Sequence, residues 1–306
     1  MAQTEWLAPR DPDELVAALR RMTGASRIVA GGSDLMLGLH ASGFHPDLLI
    51  DLSRLDGFAH VRHVDGRVRV GALSTCAQLQ DDSVLATHGH GLAQAAARVG
   101  SAQIRNVATL GGNVANASPC ADLVTALVAL DASATVIDGL GRTRERPIAD
   151  LFAPGGGSAL PPGEAIVECS FAQGHADRRS AFAKLGVRSS VAVSRLNAAL
   201  VVDLDRDGAT VRSARLAVGS IASAAFRADA VAAALIGARI DAACPEGFTH
   251  GCMRLVDERI PGRPSWAYKR LAVRGLAEDL WGVIGASGTR PVGKDPAPRS
   301  NRSQGW

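Results

Sequence analysis

The sequence predicts two domains of mixed α+β structure. The chain has 306 residues, of which 47% are hydrophobic, and a chain of this length usually folds as two domains. Short apolar or alternating runs bounded by turn residues are typical of strands. In the first half of the chain these runs are separated by turns more often than by regular helices, which favours an α+β fold. A polar connector at residues 172–180 predicts the domain boundary.

The N-terminal segments predict a small βαβ-like unit followed by further strands and helices. Apolar residues at helical spacing in residues 11–23 indicate an amphipathic helix, and an apolar run at 48–52 indicates a strand that ends the unit near Ser53. Alternation at residues 67–70 predicts a half-buried strand. Helices are expected from about Thr75 and over residues 92–99.

The rest of the chain predicts a strand-rich middle, a hairpin and three helices. The turn at residues 205–208 ends in Gly208 and separates two apolar runs, which is a hairpin signal. The expected strands are 134–138, 143–148, 165–171, 198–204 and 211–218, and the expected helices are 230–236, 248–256 and 266–284. Residues 286–306 are rich in Gly, Pro, Ser and Arg, so we expect a disordered or partner-bound tail.

Composition excludes several classes of protein. The net charge of +3 comes from dispersed basic residues and is too small for a nucleic-acid footprint. No run of 18 apolar residues and no signal peptide is present, so we expect a cytoplasmic protein. The five cysteines form no C-x-x-C or zinc spacing, which argues against an iron–sulfur cluster in this chain. The eight histidines are scattered and predict no metal site.

The stretch from Arg105 to Asp122 contains the motif TLGGNVANASPCAD at residues 109–122. Gly111 and Gly112 can take positive φ and leave room for a ligand against bare peptide N–H groups. Thr109 and Asn113 flank the pair with short hydrogen-bonding side chains. Residues 118 and 119, Ser-Pro, predict the cap and first turn of a helix, in which Asp122 could accept hydrogen bonds from sugar hydroxyls. Alone, such a motif is more often only a turn and a capped helix.

A second glycine pair strengthens the prediction of a phosphate site. Residues 27–36 read RIVAGGSDLM, a short strand that breaks at Gly31 and Gly32. Two glycine loops could hold the two ends of one pyrophosphate. Neither motif matches the dinucleotide G-x-G-x-x-G or the P-loop pattern.

The pair AGGSDLM and ATLGGNVANASPCAD, about 75 residues apart, resembles the FAD-binding subunit of the molybdenum hydroxylases, the medium chain of the xanthine dehydrogenase and carbon monoxide dehydrogenase group. The similarity continues through Ala181-Phe-Ala-Lys184 to Asn197-Ala-Ala199 and covers about residues 5–285. The resemblance implies a two-lobed FAD-binding domain of the vanillyl-alcohol-oxidase/PCMH-like type at residues 1–174, with lobes of about 1–55 and 56–174. A smaller α+β domain, an antiparallel sheet with helices, is implied at residues 178–285, before the tail at 286–306.

The resemblance also implies the site. The expected FAD-binding residues are Val29, Ala30, Gly31, Gly32, Ser33, Asp34, Leu35, Arg105, Ala108, Thr109, Gly111, Gly112, Asn113, Asp122 and Lys184. Lys184 corresponds to a lysine that the family places near the isoalloxazine, where a positive charge would stabilise the anionic reduced flavin; alone, it would be taken for a solvated strand lysine. Arg27 and Arg105 are candidate pyrophosphate counter-charges or members of surface ion pairs.

The function implied is electron relay. FAD would take electrons from [2Fe-2S] clusters on a small partner chain, which are reduced by a molybdopterin-binding large chain that hydroxylates the substrate, and would pass them to NAD⁺ or another acceptor. No catalytic residue or metal ligand is predicted in this chain, consistent with a subunit whose cofactor supplies the chemistry. Two alternatives remain: a self-sufficient FAD-dependent oxidoreductase of the same fold, which would need its own acid or base, and a binding module that has lost flavin.

Overall fold

The computed structural model describes residues 4–174, 177–188 and 191–286. The strands found there are β1 (Glu5–Leu7), β2 (Arg27–Val29), β3 (Leu48–Asp51), β4 (Val61–Val64), β5 (Arg67–Gly71), β6 (Ser133–Asp138), β7 (Thr143–Pro147), β8 (Glu164–Ala172), β9 (Arg178–Leu185), β10 (Leu196–Leu204), β11 (Val211–Gly219) and β12 (Phe226–Arg227). The helices are α1 (Pro12–Arg20), α2 (Leu35–Ser42), α3 (Cys76–Gln80), α4 (Ser83–His88), α5 (His90–Ala97), α6 (Ala102–Arg105), α7 (Leu110–Asn116), α8 (Asp122–Ala129), α9 (Asp229–Ala232), α10 (Glu246–Arg259) and α11 (Trp266–Ala286).

The N-terminal sheet is parallel, in the order β1-β3-β2. Helix α1 begins after Asp11, whose side chain accepts from the backbone N–H of Glu14, and it buries Leu15 and Leu19 against Ile50. This arrangement confirms the predicted βαβ-like unit. The first glycine pair lies at the carboxyl end of β2, the edge where loops of parallel sheets commonly meet ligands.

The middle sheet is antiparallel, in the order β4-β5-β8-β6-β7. Its inner face and the helices α3, α5, α7 and α8 enclose the largest of the apolar clusters, which includes Val70, Leu92, Leu127 and Phe171. Helix α8 is buried along its whole length. The predicted strands at 67–70, 134–138, 143–148 and 165–171 are therefore present, each within about two residues of the expected bounds.

The C-terminal sheet is antiparallel, in the order β12-β11-β10-β9, and contains the predicted hairpin. Every residue of β10 is buried, because the sheet is covered on both faces. Ala199 and Val201 belong to the cluster that includes α5 and α8, whereas Leu200 and Val202 pack with α10 and α11. This alternation shows that the sheet packs directly on the preceding part of the chain.

Two structural expectations need correction or restriction. The Ser118-Pro119 cap is wrong, since α8 begins at Asp122 with Ala121 at its N-cap and no side-chain cap. The expected tail from 286 starts too early, because Ala286 is the last residue of α11, and 287–306 lie outside the described residues.

In the part of the chain that the structure describes, no helix is long and apolar enough to cross a membrane.

Candidate functional site

A cavity of about 670 Å³ lies where the three sheets meet, within the range of ~300–1,000 Å³ usual for small-molecule and cofactor sites. The N-terminal parallel sheet, helices α7 and α8 and the C-terminal strand β9 all contribute to its walls. Fourteen of the fifteen predicted site residues line it: Val29, Ala30, Gly31, Gly32, Ser33, Asp34, Leu35, Ala108, Thr109, Gly111, Gly112, Asn113, Asp122 and Lys184.

The first glycine pair forms an open turn. Gly32 has φ +66°, the left-handed region that favours glycine, and a Cβ on Gly31 would lie 1.8 Å from the carbonyl oxygen of Val107. None of the backbone N–H groups of residues 31–34 donates a hydrogen bond within the described part of the chain. Helix α2 then begins without a side-chain cap at Asp34. Consecutive unpaired N–H groups at such a turn form an anion-binding concavity.

The second glycine pair differs from the predicted loop. Gly111 and Gly112 occupy the first turn of α7 and do not have positive φ. The N–H groups of this turn are already bonded: Gly111 donates to the carbonyl of Ala72 at 2.8 Å, Gly112 to Thr109 Oγ1 at 3.1 Å, and Asn113 to the Thr109 carbonyl at 3.0 Å. The prediction of bare peptide N–H groups at this pair is therefore wrong.

Gly111 permits close packing. A Cβ on Gly111 would lie 2.6 Å from the Cβ of Ala72, so the absence of a side chain lets α7 approach the chain after β5. Asn113 contributes differently: its Oδ1 is buried and has no hydrogen-bond partner within the described residues. A buried acceptor without a partner costs free energy unless a donor from a ligand or water reaches it.

Arg105 is the predicted site residue that does not line the cavity. Its Nε donates to Gln80 Oε1 at 2.9 Å, and its guanidinium also donates to the carbonyls of Val99 and Gly100, both at 3.3 Å. The bond to Gln80 ties α6 to α3. These contacts, outside the cavity, do not favour the pyrophosphate counter-charge expected at this position. Arg27 does line the cavity, with its guanidinium 4.8 Å from the centre of the Phe44 ring.

Asp122 and Lys184 lie on the cavity wall as an ion pair, with Lys184 Nζ 2.5 Å from Asp122 Oδ2. The other carboxylate oxygen accepts from Ser194 Oγ at 2.5 Å and from Asn197 Nδ2 at 2.8 Å. Both oxygens thus accept hydrogen bonds from the protein, and the expectation that Asp122 also accepts from sugar hydroxyls stays a prediction. The solvated-lysine interpretation of Lys184 is wrong, because its side chain is only 9% exposed.

Ser194 and Asn197 are site-associated residues that the sequence motifs did not identify. Asn197 is fully buried in β10, where it also bonds Thr125 Oγ1 and the carbonyl of Cys120. A single asparagine in the otherwise apolar strand LNAALVV was the available signal, since buried amides are retained where they find partners. Ser194 lies in a connecting segment and carries no such signal.

Among the described residues, the cysteines and histidines do not form a further site. The described residues contain no group of His, Cys, Asp and Glu suited to a metal ion. Burial raises the pKa of Cys76, Cys169 and Cys252 to about 12 each, so these thiols stay protonated, as the expectation of small buried hydrophobes requires. Cys120 is partly exposed and lines the cavity.

Comparison with protein families identifies the chain. Residues 2–171 match the family described as the FAD binding domain in molybdopterin dehydrogenase, and residues 181–283 match the CO dehydrogenase flavoprotein C-terminal domain. The chain belongs to this family. It is an FAD-binding flavoprotein of the xanthine and carbon monoxide dehydrogenase group, as the two glycine motifs predicted.

Individual relatives agree with this assignment. The chain is 30% identical to the nicotinate dehydrogenase FAD-subunit of Eubacterium barkeri, over 92% of this chain and 96% of that protein. It is also 30% identical to the xanthine dehydrogenase FAD-binding subunit of Escherichia coli O157:H7, over 66% of this chain and 69% of that one.

A solved structure of carbon monoxide dehydrogenase from Hydrogenophaga pseudoflava shares the fold. The TM-score is 0.82 at 24% identity, with 93% of this chain and 98% of that chain covered. The two-domain FAD-binding fold predicted from the sequence is therefore confirmed.

Proposed function

We propose that the chain is the electron-transfer subunit of a heteromeric molybdenum hydroxylase. In this proposal electrons come from [2Fe-2S] clusters on a small partner chain, pass through FAD in the cavity, and leave to NAD⁺ or another acceptor. A molybdopterin-binding large chain would hydroxylate the substrate and select it. The observation that carries the assignment of the cavity to FAD is the row of unpaired N–H groups at residues 31–34.

The residues of the cavity fit a dinucleotide. The N–H groups of the turn at 31–34 would hold the diphosphate. Arg27 lines the same cavity, although its guanidinium donates to the carbonyls of Gly24 and Ser26. Asn113 Oδ1 would accept a hydrogen bond from a hydroxyl or amino group of the cofactor, which would satisfy its buried oxygen. Val29, Ala30, Leu35, Ala108, Thr109, Gly111 and Gly112 would form the remaining contact surface.

The charged side chains of the cavity wall favour relay over a self-sufficient oxidoreductase. Bound FAD supplies the electron-accepting chemistry, whereas substrate oxidation would also require a protein group that takes a proton. Among the described lining residues, Asp122 is paired with Lys184 and Glu164 with Arg144, and no histidine is present. Asp34 is exposed beside the turn. The described residues of the cavity would therefore bind and orient FAD, but they include no positioned general base.

The names of two relatives support the proposal that this chain assembles with a large and a small partner chain. The carbon monoxide dehydrogenase relative from Hydrogenophaga pseudoflava is a medium chain, 27% identical over 76% of this chain and 80% of that one. A relative from Paenarthrobacter nicotinovorans, the 6-hydroxypseudooxynicotine dehydrogenase complex subunit alpha, is 30% identical over 87% of this chain and 90% of that one. We propose a cytoplasmic location, which the five free cysteines support.

We also propose the division into two domains that the family resemblance implies. Residues 1–174 would form the FAD-binding domain, with lobes of about 1–55 and 56–174 that correspond to the parallel and the antiparallel sheet. Residues 178–285 would form the C-terminal domain, and α11 extends it to Ala286. Truncation after Ala286 tests the remaining tail: full flavin content is expected, and loss of flavin would show that the tail belongs to the fold.

Anaerobic reduction of the bound flavin tests the relay. The purified chain should carry noncovalent FAD, released by acid precipitation, and should not be bleached by alcohols, aldehydes or purines. Addition of the molybdopterin and iron–sulfur chains, co-purified from the native host, should give substrate-dependent bleaching. Rapid bleaching of the single chain by an organic substrate would contradict the relay and favour the self-sufficient oxidoreductase, and the absence of flavin would favour a module that has lost it.

A further inference from the structure

A network of buried polar side chains joins the cavity wall to the C-terminal sheet. Asp122, at the start of α8, accepts hydrogen bonds from Lys184 on β9, from Ser194, and from Asn197 on β10. Asp122 and Ser194 are each 5% exposed, and Asn197 is fully buried. All three donors lie in or beside the C-terminal sheet, so the polarity of this wall is set by residues from both sides of the proposed domain boundary.

The position of the Lys184 ammonium is fixed by two acceptors. Its Nζ lies 2.5 Å from Asp122 Oδ2 and 2.9 Å from the carbonyl oxygen of Arg98. The side chain is 9% exposed and that of Asp122 is 6% exposed. In such a poorly solvated place, charges interact strongly with each other and with anything in the adjoining cavity. A lysine charge on a cavity wall therefore acts together with the carboxylate that holds it.

We propose that Asp122 is a positioning residue that acts through Lys184. It fixes the ammonium on the cavity wall and offsets its charge, and so sets how strongly the cavity favours the negative charge that reduction of FAD brings. Ser194 and Asn197 hold the carboxylate in place by occupying its other oxygen. This inference rests on the proposed binding of FAD in the cavity.

The pair predicts opposite effects of two single substitutions. Asp122→Asn leaves an uncompensated ammonium, so the midpoint potential of the bound FAD should move to a more positive value. Lys184→Met leaves an uncompensated carboxylate, so the potential should move to a more negative value. The double substitution removes both charges, and its potential should return close to that of the unsubstituted chain. A role limited to holding the fold would not produce shifts of opposite sign that cancel.

A second ion pair in the same sheet provides a matched control. Arg178 Nε lies 2.7 Å from Asp203 Oδ1, and the side chains are 13% and 12% exposed. This pair joins β9 and β10 as closely as the first pair joins β9 and α8, but it does not line the cavity. Asp203→Asn should therefore lower stability without moving the potential. Lys184→Arg keeps the charge and should also leave the potential near its original value.

The test is a spectroelectrochemical titration of the purified, flavin-loaded chain and its variants, with circular dichroism as the check of folding. Opposite shifts for Asp122→Asn and Lys184→Met, with cancellation in the double variant, are expected. Shifts in the same direction, no shift in either, or an equal shift in Asp203→Asn would overturn the inference. If Asp122→Asn fails to fold, the double variant decides the outcome, because its potential should lie above that of Lys184→Met; equal potentials of these two variants would overturn the inference.

The two proposals fail in distinguishable ways. If the unsubstituted chain carries no FAD, the proposed function fails before any variant is compared. If it carries FAD and the variants show no charge-dependent shift, the proposed function stands and the role of Asp122 is wrong.

Discussion

The two glycine pairs share a dipeptide but differ in what the missing side chains permit. At Gly31 and Gly32 the backbone turns through a left-handed residue and leaves its N–H groups unpaired. At Gly111 and Gly112 the backbone is helical and its N–H groups are bonded, and the missing Cβ of Gly111 allows α7 to lie against Ala72. The first pair thus offers donors to a ligand, whereas the second shapes the wall. Substitutions at the four positions should separate the two roles.

Gly31→Ala should have the largest effect. The new Cβ would lie 1.8 Å from the Val107 carbonyl oxygen and 2.5 Å from its carbon, and a backbone obstacle cannot rotate away. We expect a loss of unfolding free energy of about 3 kcal/mol or more, at the upper end of overpacking costs, and little FAD bound after purification. Urea unfolding and flavin content measure these effects. Stability and flavin content like those of the unsubstituted chain would show that the turn and residue 107 are not in contact.

Gly111→Ala should be the next most severe, with a mainly structural effect. Its Cβ would lie 2.6 Å from the Cβ of Ala72, so we expect a loss of about 1–3 kcal/mol, partly offset by the better helix propensity of alanine. Urea unfolding measures it. Reactivity of Cys76 provides a second readout, because burial holds the pKa of this thiol at about 12 and it should resist alkylation at pH 8 until α7 loosens.

The control for this prediction is the double variant that combines Gly111→Ala with Ala72→Gly. The second substitution removes the nearest atom that the new Cβ would meet and leaves the carbonyl oxygen of residue 72 at 3.0 Å. The double variant should therefore regain part of the lost stability. An undiminished loss in the double variant would mean that crowding against Ala72 is not the cause.

Gly32→Ala should weaken FAD binding more than it lowers stability. The residue has φ +66°, where an L-residue costs about 1–2 kcal/mol, and the nearest side-chain atom, Met36 Cγ at 3.2 Å, can move. A change in this turn would misalign the unpaired N–H groups. We expect a rise in the FAD dissociation constant of roughly tenfold, measured by flavin fluorescence on titration. Gly32→Asn should be milder, because asparagine tolerates this conformation better; equal damage from both would point to a steric cause.

Gly112→Ala should have the smallest effect. Its Cβ would meet only Thr109 Oγ1, at 2.9 Å, and displacing this cap costs about 0.5–2 kcal/mol against a gain of up to ~1 kcal/mol in helix propensity. Urea unfolding should therefore change by about 1 kcal/mol or less, with FAD retained. If FAD were lost from a fully folded Gly112→Ala chain, this residue would be a direct ligand contact, as the sequence first suggested.

The sequence predicted the elements and the composition of the site better than its local geometry. Periodicity and turn residues located most strands and long helices. The two motifs together with the family resemblance named fourteen residues that line one cavity. The N–H groups of the second motif were misjudged because their acceptors, such as the carbonyl of Ala72, come from a distant part of the chain. The same limitation applies to Arg105 and Asp122, whose partners are set by tertiary packing.

The central claim is that the turn at residues 31–34 holds the FAD diphosphate through its N–H groups, and hydrogen–deuterium exchange tests it most directly. Exchange would be compared between the FAD-loaded chain and the same chain depleted of flavin. The account predicts strong slowing of exchange at residues 31–34 on loading and little change at 111–113, whose N–H groups are bonded already. Slowing at 111–113 with none at 31–34 would contradict it.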